Sequence, residues 1–229
     1  MATFMLIHGA YQGGWIWGPV ATQLRAAGHR VYAPSLDGCA ERTPQARPGI
    51  STETHAAEIV ELLRYEDLDA VVLVGTSSGG MVLAQVAELA RDRVQRLVFV
   101  DALALLDGEK IRDIVTRPAE LTTEVATGPS RDGALETLST SIEPELAAWA
   151  ADRFGLHPIA VFNEPVHLER FWGQQWDAAV IYCQQAPNPG EVHQRRCAKA
   201  LGATWHELDT GHYPMLSAPD ELTPLIVEG

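Results

Sequence analysis

Gly75-Thr76-Ser77-Ser78-Gly79 places a serine hydroxyl between two glycines. It closes an apolar run, Ala70-Val71-Val72-Leu73-Val74, and leads into an amphipathic stretch that begins Gly80-Met81-Val82-Leu83. A strand that enters a helix through so tight a turn holds its central serine in a strained backbone conformation, with the hydroxyl clear of the sheet. The flanking glycines suit this turn because a β-carbon at either would collide with the neighbouring strand or helix. The start of the helix offers backbone N–H groups and positive dipole to any oxyanion formed there. The chemistry favoured is attack by Ser77 on a carbonyl carbon, which needs a base within hydrogen-bond reach.

His212 is the candidate base. It stands in Leu208-Asp209-Thr210-Gly211-His212-Tyr213-Pro214, on a loop just after a strand near the C-terminus. A parallel sheet brings such a loop alongside the turn after its central strand. His8 precedes a glycine in an early loop, where it shapes that loop and is a candidate substrate contact. His29, His55, His157, His167, His193 and His206 fall in helices, strand or the middle segment, where a surface or satisfied interior role is the default. No histidine shows metal-ligand spacing.

The elements that must position these residues alternate between strand and helix, which implies a largely parallel sheet covered on both faces. Strands are expected near 3–7, 30–33, 69–75, 95–101, 178–183 and 203–208. Helices are expected near 17–27, closed by Gly28, and near 51–65, 78–90, 190–201 and 219–227. Pro34 and Thr43-Pro44-Gln45-Ala46-Arg47-Pro48-Gly49 mark a surface loop. Residues 102–177 break the alternation. They mix helical stretches such as Ile111–Val115 and Glu145–Phe154 with Pro118, Pro129, Pro144, Pro158 and Pro165. The division expected is a core of 1–101 and 178–229 with a helical cap at 102–177. The rings concentrated in that cap suggest an apolar pocket, with Trp149, Phe154, Trp172 and Trp176 as candidate substrate contacts.

A chain of 229 residues, 46% hydrophobic and 21% charged, can bury one sizeable core and reads as an ordinary globular domain. The net charge of −13 argues against a nucleic-acid partner, since phosphate backbones attract basic surfaces. Cys39, Cys183 and Cys197 are odd in number and widely spaced, so they read as buried free thiols in a reducing compartment. Met1 leads into a strand without a basic segment or long apolar core, and no apolar run approaches membrane-spanning length. A cytoplasmic protein acting on a small molecule, away from membranes, is expected.

With these motifs in view, the chain resembles the α/β-hydrolases. Its stretch Leu6-Ile7-His8-Gly9-Ala10-Tyr11-Gln12-Gly13-Gly14-Trp15-Ile16-Trp17 is similar to the plant methylesterase and hydroxynitrile lyase branch and its bacterial esterase relatives. The likeness covers nearly the whole chain except the cap, and the order serine then late histidine is the one the family uses. It implies an oxyanion hole made by the backbone N–H groups of Ala10 and Ser78, with the small residues of the early loop letting the backbone approach the substrate. It implies hydrolysis of an ester, thioester or lactone of a small, largely apolar substrate through an acyl-enzyme, with no cofactor.

One departure stands out. The family carries an aspartate in the loop after the penultimate strand, and Ala186 stands at that place in Gln184-Gln185-Ala186-Pro187-Asn188-Pro189-Gly190-Glu191. Some α/β-hydrolases, the haloalkane dehalogenases among them, place the acid at the end of the strand after the nucleophile, which here is Asp101. Glu191 is the second candidate, though it suits a first helical turn. Two other functions stay open: a lyase using the same Ser77 and His212 as acid and base, and a ligand receptor that has lost turnover. Gly9 favours the esterase, because the lyases resembled carry a threonine at that position.

Overall fold

Residues 1–115 and 125–228 are described by a computed structural model. In chain order its elements are β1 (Thr3–Ile7), α1 (Gly18–Ala26), β2 (Arg30–Tyr32), α2 (Thr52–Tyr65), β3 (Val71–Ser77), α3 (Gly79–Leu89) and β4 (Val94–Ala102). The segment that follows holds β5 (Ala126–Thr127), α4 (Arg131–Leu138), α5 (Pro144–Ala151), β6 (His157–Pro158) and α6 (Ala160–Asn163). The chain then returns through β7 (Asp177–Cys183), α7 (Glu191–Leu201), β8 (Thr204–Leu208), α8 (Pro214–Ser217) and α9 (Pro219–Glu228).

Six strands pair in the order β2-β1-β3-β4-β7-β8, every pairing parallel. Successive side chains on a strand point to opposite faces, so apolar runs such as these feed two cores at once. Phe4 and Leu6, Val72 and Val74, and Val98 and Val100 face α1 and α9, where Val20, Leu24, Leu222 and Ile226 complete the cluster. Met5 and Ile7, Leu73, and Leu97 and Phe99 face the other way, against Ile59 and Leu63 of α2 and Leu83 and Val86 of α3. The chain leaves β1 for β2 on one side and returns as β3 on the other. That reversal opens a crevice above the carboxyl ends of β1 and β3, the place where open α/β sheets bind ligands.

The expected strands and helices match these bounds to within one residue, apart from β3, which lies two residues further along and ends on Ser77 itself. The cap differs more. Ile111–Asp113 makes a single 3₁₀ turn rather than a helix to Val115, and α5 stops at Ala151. The cap also contains a two-residue antiparallel ladder, Ala126–Thr127 against His157–Pro158, so it is not purely helical. Pro118 lies outside the described residues. Ala134, Leu138, Ala147 and Ala150 join the α1/α9 side of the core, while Val161, Phe162 and Phe171 join the α2/α3 side. The cap therefore rests on both halves of the core rather than burying a core of its own. Among the described residues, no helix is long and apolar enough to cross a membrane.

Three buried histidines tie loops to this edge of the sheet. His8 Nε2 accepts from the Leu36 N–H, the His55 Nε2–H donates to the Asp37 carbonyl, and His193 Nε2 accepts from the Ala104 N–H. Burial disfavours the imidazolium, and it pushes all three down to about 4 from an ordinary 6.5. The unfolded chain thus binds protons between pH 6.5 and 4 that the folded chain refuses. Stability from these groups is fully present above pH 6.5 and is lost as pH falls toward 4, each histidine giving up roughly 1.4 kcal/mol for every pH unit crossed. Urea unfolding at steps from pH 7 to 4.5 should show a steadily falling midpoint, and His55→Gln should flatten that slope. A midpoint that stays level over this range would mean that the histidines are not held neutral.

Candidate active site

β3 and β4 run in register to Thr76 and Val100, and the next pair is Ser77 with Ala102. Asp101 is therefore an extra residue, a β-bulge at the strand end. Ser77 and Asp101 both take positive φ, 51° and 43°, a conformation that costs on the order of 1 kcal/mol in a residue with a side chain. Strict alternation would turn residue 101 toward the face of Leu97 and Phe99. Ala102 takes that place in the core instead, and the bulge re-aims Asp101. The Asp101 carboxylate is fully buried, and its Oδ2 accepts the Nδ1–H of His212 at 2.5 Å. A ring that donates through Nδ1 keeps Nε2 as its basic nitrogen.

Main chain packs closely against both glycines of the turn around Ser77. A methyl group at Gly79 would come within 2.6 Å of the Ile7 and His8 carbonyl oxygens, and one at Gly75 within 2.8 Å of the Gly79 carbonyl. A methyl at Gly9 would lie 2.6 Å from Ser77 Cβ. A threonine there, as in the lyases, could not fit without moving the serine. Ala10 and Ser78 both line the cavity, and no acceptor among the described residues takes their backbone N–H groups. By contrast, Gly14 owes its small size to the 33–34 backbone packed against it rather than to an approaching substrate.

Ser77 and His212 share a cavity of about 510 Å³ at the carboxyl edge of the sheet. Tyr11, Leu103, Ile111, Val115 and Tyr213 supply apolar wall, while Thr137, Thr140 and Ser141 supply hydroxyls from the cap. Tyr213 and Tyr11 adjoin His212 and Ala10 within the motifs already singled out, so their presence was open to inference. The cap hydroxyls carry no such local signal.

The cap rings expected to form the pocket do not line it. Trp149, 38% exposed, sits edge-on to Trp15 with the Arg153 guanidinium over its face. Phe154 packs between Trp15 and Tyr213. Trp172 and Trp176 donate their indole N–H groups to the carbonyls of Leu105 and Phe171 in their own segment, and both rings pack against the α2/α3 side of the core instead. His8 also lies off the cavity, fully buried, with its Nδ1–H donated to the Gly9 carbonyl. Glu191 lies on α7, paired with Arg195 at 2.7 Å, and Ala186 is buried in the turn after β7. The structure thus brings Asp101, not Glu191, to His212. All three cysteines are buried and free, and burial pushes Cys39 and Cys197 up to about 12, which holds them as thiols at neutral pH.

Residues 4–225 match the sequence pattern described as the alpha/beta hydrolase family. The chain is 32% identical to methylesterase 3 of Arabidopsis thaliana over 98% of this chain and 94% of that one. It is 37% identical to a carbendazim hydrolyzing esterase of a Nocardioides species over 126 residues, 55% of this chain, spanning about half (51%) of that relative. Among solved structures, an extracellular alpha/beta-hydrolase of a Paenibacillus species superposes with a TM-score of 0.82 over 99% of this chain and 98% of that one, at 24% identity. A parallel sheet with a serine turn after its third strand and a match over nearly every residue place this chain in the alpha/beta hydrolase family.

Proposed function

We propose that the protein is a serine esterase acting on a small carboxylic ester, and that Asp101 rather than a residue of the β7 loop is its catalytic acid. The observation that carries this reading is the 2.5 Å hydrogen bond from His212 to the buried Asp101, in a cavity that also holds Ser77. Ser77 Oγ attacks the ester carbonyl while His212 Nε2 takes its proton. The Asp101 carboxylate fixes the tautomer and stabilises the imidazolium that forms. The N–H groups of Ala10 and Ser78 receive the oxyanion, aided by the positive end of α3. His212 returns the proton to the departing alcohol, and water then releases the acid from Ser77 by the same steps. The family membership and the esterases among its relatives support hydrolysis. Three free thiols suit a reducing compartment such as the cytoplasm.

Ser77→Ala should leave the circular-dichroism spectrum and melting temperature of the folded chain in place. It should lower hydrolysis of short p-nitrophenyl esters to about one per cent of wild type or less. Turnover clearly above that level would remove Ser77 from the mechanism.

The place of the acid is tested by a pair of variants. Asp101→Asn keeps the shape of the side chain but favours the wrong tautomer of His212, and kcat should fall by something on the order of 10⁴. Glu191→Gln removes an exposed pair on α7 and should change kcat less than twofold. A silent Asp101→Asn beside a crippled Glu191→Gln would return the acid to the loop after β7.

A further inference from the structure

Gly211 immediately precedes His212 and is buried. A methyl group on it would overlap Ser141 Cβ and come within 2.5 Å of Ser141 Oγ. The bare glycine lets the turn between α4 and α5 close directly onto the histidine loop. Ser141 is fixed within that turn by its own N–H, which donates to the Leu138 carbonyl at 3.1 Å. Ser141 lines the cavity, and its hydroxyl is bonded to no protein atom among the described residues. Thr137, at the end of α4, and Thr140 also line the cavity, but their hydroxyls donate to the Gly133 and Thr137 carbonyls at 2.9 and 2.8 Å, so Ser141 is the cap hydroxyl left to a ligand. Gln185 joins them from the neighbouring loop, held there by its N–H on the Thr210 carbonyl and its side-chain amide on Asp209.

The apolar part of the lining has different chemistry. Leu103, whose N–H donates to the Ser77 carbonyl at 2.8 Å, stands with Ile111 and Val115. These side chains offer no hydrogen bond. In ester hydrolysis the histidine hands its proton to the leaving alcohol. Groups beside His212 therefore face the alcohol half of the substrate, and the acyl half lies toward Leu103, Ile111 and Val115.

We propose that Ser141 is a specificity-determining residue, seated by Gly211 at the leaving-group end of the cavity, and that the substrate is an ester of an apolar acid with a hydroxyl-bearing alcohol. The inference rests on the esterase reading for which end is which. A methyl or propyl leaving group leaves the Ser141 hydroxyl without a partner, whereas a diol can pair with it. One such hydrogen bond in a half-buried site corresponds to a five- to tenfold effect.

The test compares kcat/KM for propyl butyrate and 2,3-dihydroxypropyl butyrate. The wild type should favour the diol ester severalfold, and Ser141→Ala should lower the diol-to-propyl ratio about fivefold. Equal turnover of the two esters by wild type, or an equal loss on both in Ser141→Ala, overturns the proposal. The corresponding butyramides, titrated calorimetrically against Ser77→Ala and Ser77→Ala/Ser141→Ala, read the same preference without turnover. A diol preference lost with Ser141 supports the assignment even if no ester is hydrolysed. Absence of that preference overturns it even if Ser77 is the nucleophile.

Discussion

The hydrogen bond between Asp101 and His212 sets the demands that the rest of the fold must meet. The two residues sit on elements separated by β7, so neither strand end alone could bring them together. Asp101 must leave the alternation of β4, which the bulge and its left-handed backbone accomplish. The loop after β8 must lean back across the end of β7. It is held there by the Gln184 N–H on the Leu208 carbonyl, the Gln185 N–H on the Thr210 carbonyl and the Gln185 side chain on Asp209. A buried carboxylate is costly when unpaired, so the imidazole stabilises the bulge as much as the bulge positions the imidazole.

Around this pair, strain is concentrated where packing can hold it. Ser77 and Asp101 have left-handed backbones at the ends of adjacent strands, and each is followed by tightly buried chain. β3 and β4 are central strands, and α3 is buried along almost its whole length. The carboxyl edge is therefore held from beneath by deeply buried elements. From above, the loops are pinned by imidazoles that burial keeps neutral. Each of these groups accepts from one amide or donates to one carbonyl without adding a buried charge.

Much of this arrangement was legible in the residues. The apolar run into Gly75-Thr76-Ser77-Ser78-Gly79 carries its own structural context, and His212 sits in a loop whose place follows from a parallel sheet. Asp101 was harder, because an apolar strand ending in aspartate reads equally well as a simple cap. The bulge that turns it has no signature in Arg96-Leu97-Val98-Phe99-Val100. The cap misled for a physical reason: aromatic rings satisfy burial wherever they find a partner, and an indole N–H finds one on any main-chain carbonyl. Trp172 and Trp176 did so within their own segment, with their rings turned onto the core. The hydroxyls that do line the cavity are small, common residues without periodicity. The contact between Ser141 and Gly211 joins positions 70 residues apart, which no local pattern encodes.

Because the carboxylate that holds His212 comes from β4, the loop after β7 carries no charge that the histidine depends on. Ala186 occupies the place where an orienting aspartate could have stood, and Pro187, Asn188 and Pro189 just beyond it form part of the cavity wall. Shape and reactivity are thus written into separate stretches of chain. Insertions, deletions and substitutions across 187–189 can remodel the cavity wall while Asp101 and His212 keep their geometry. A lineage built on this arrangement can vary the shape of the cavity through one short loop, and a designer can diversify that loop with little risk to the pair beneath it.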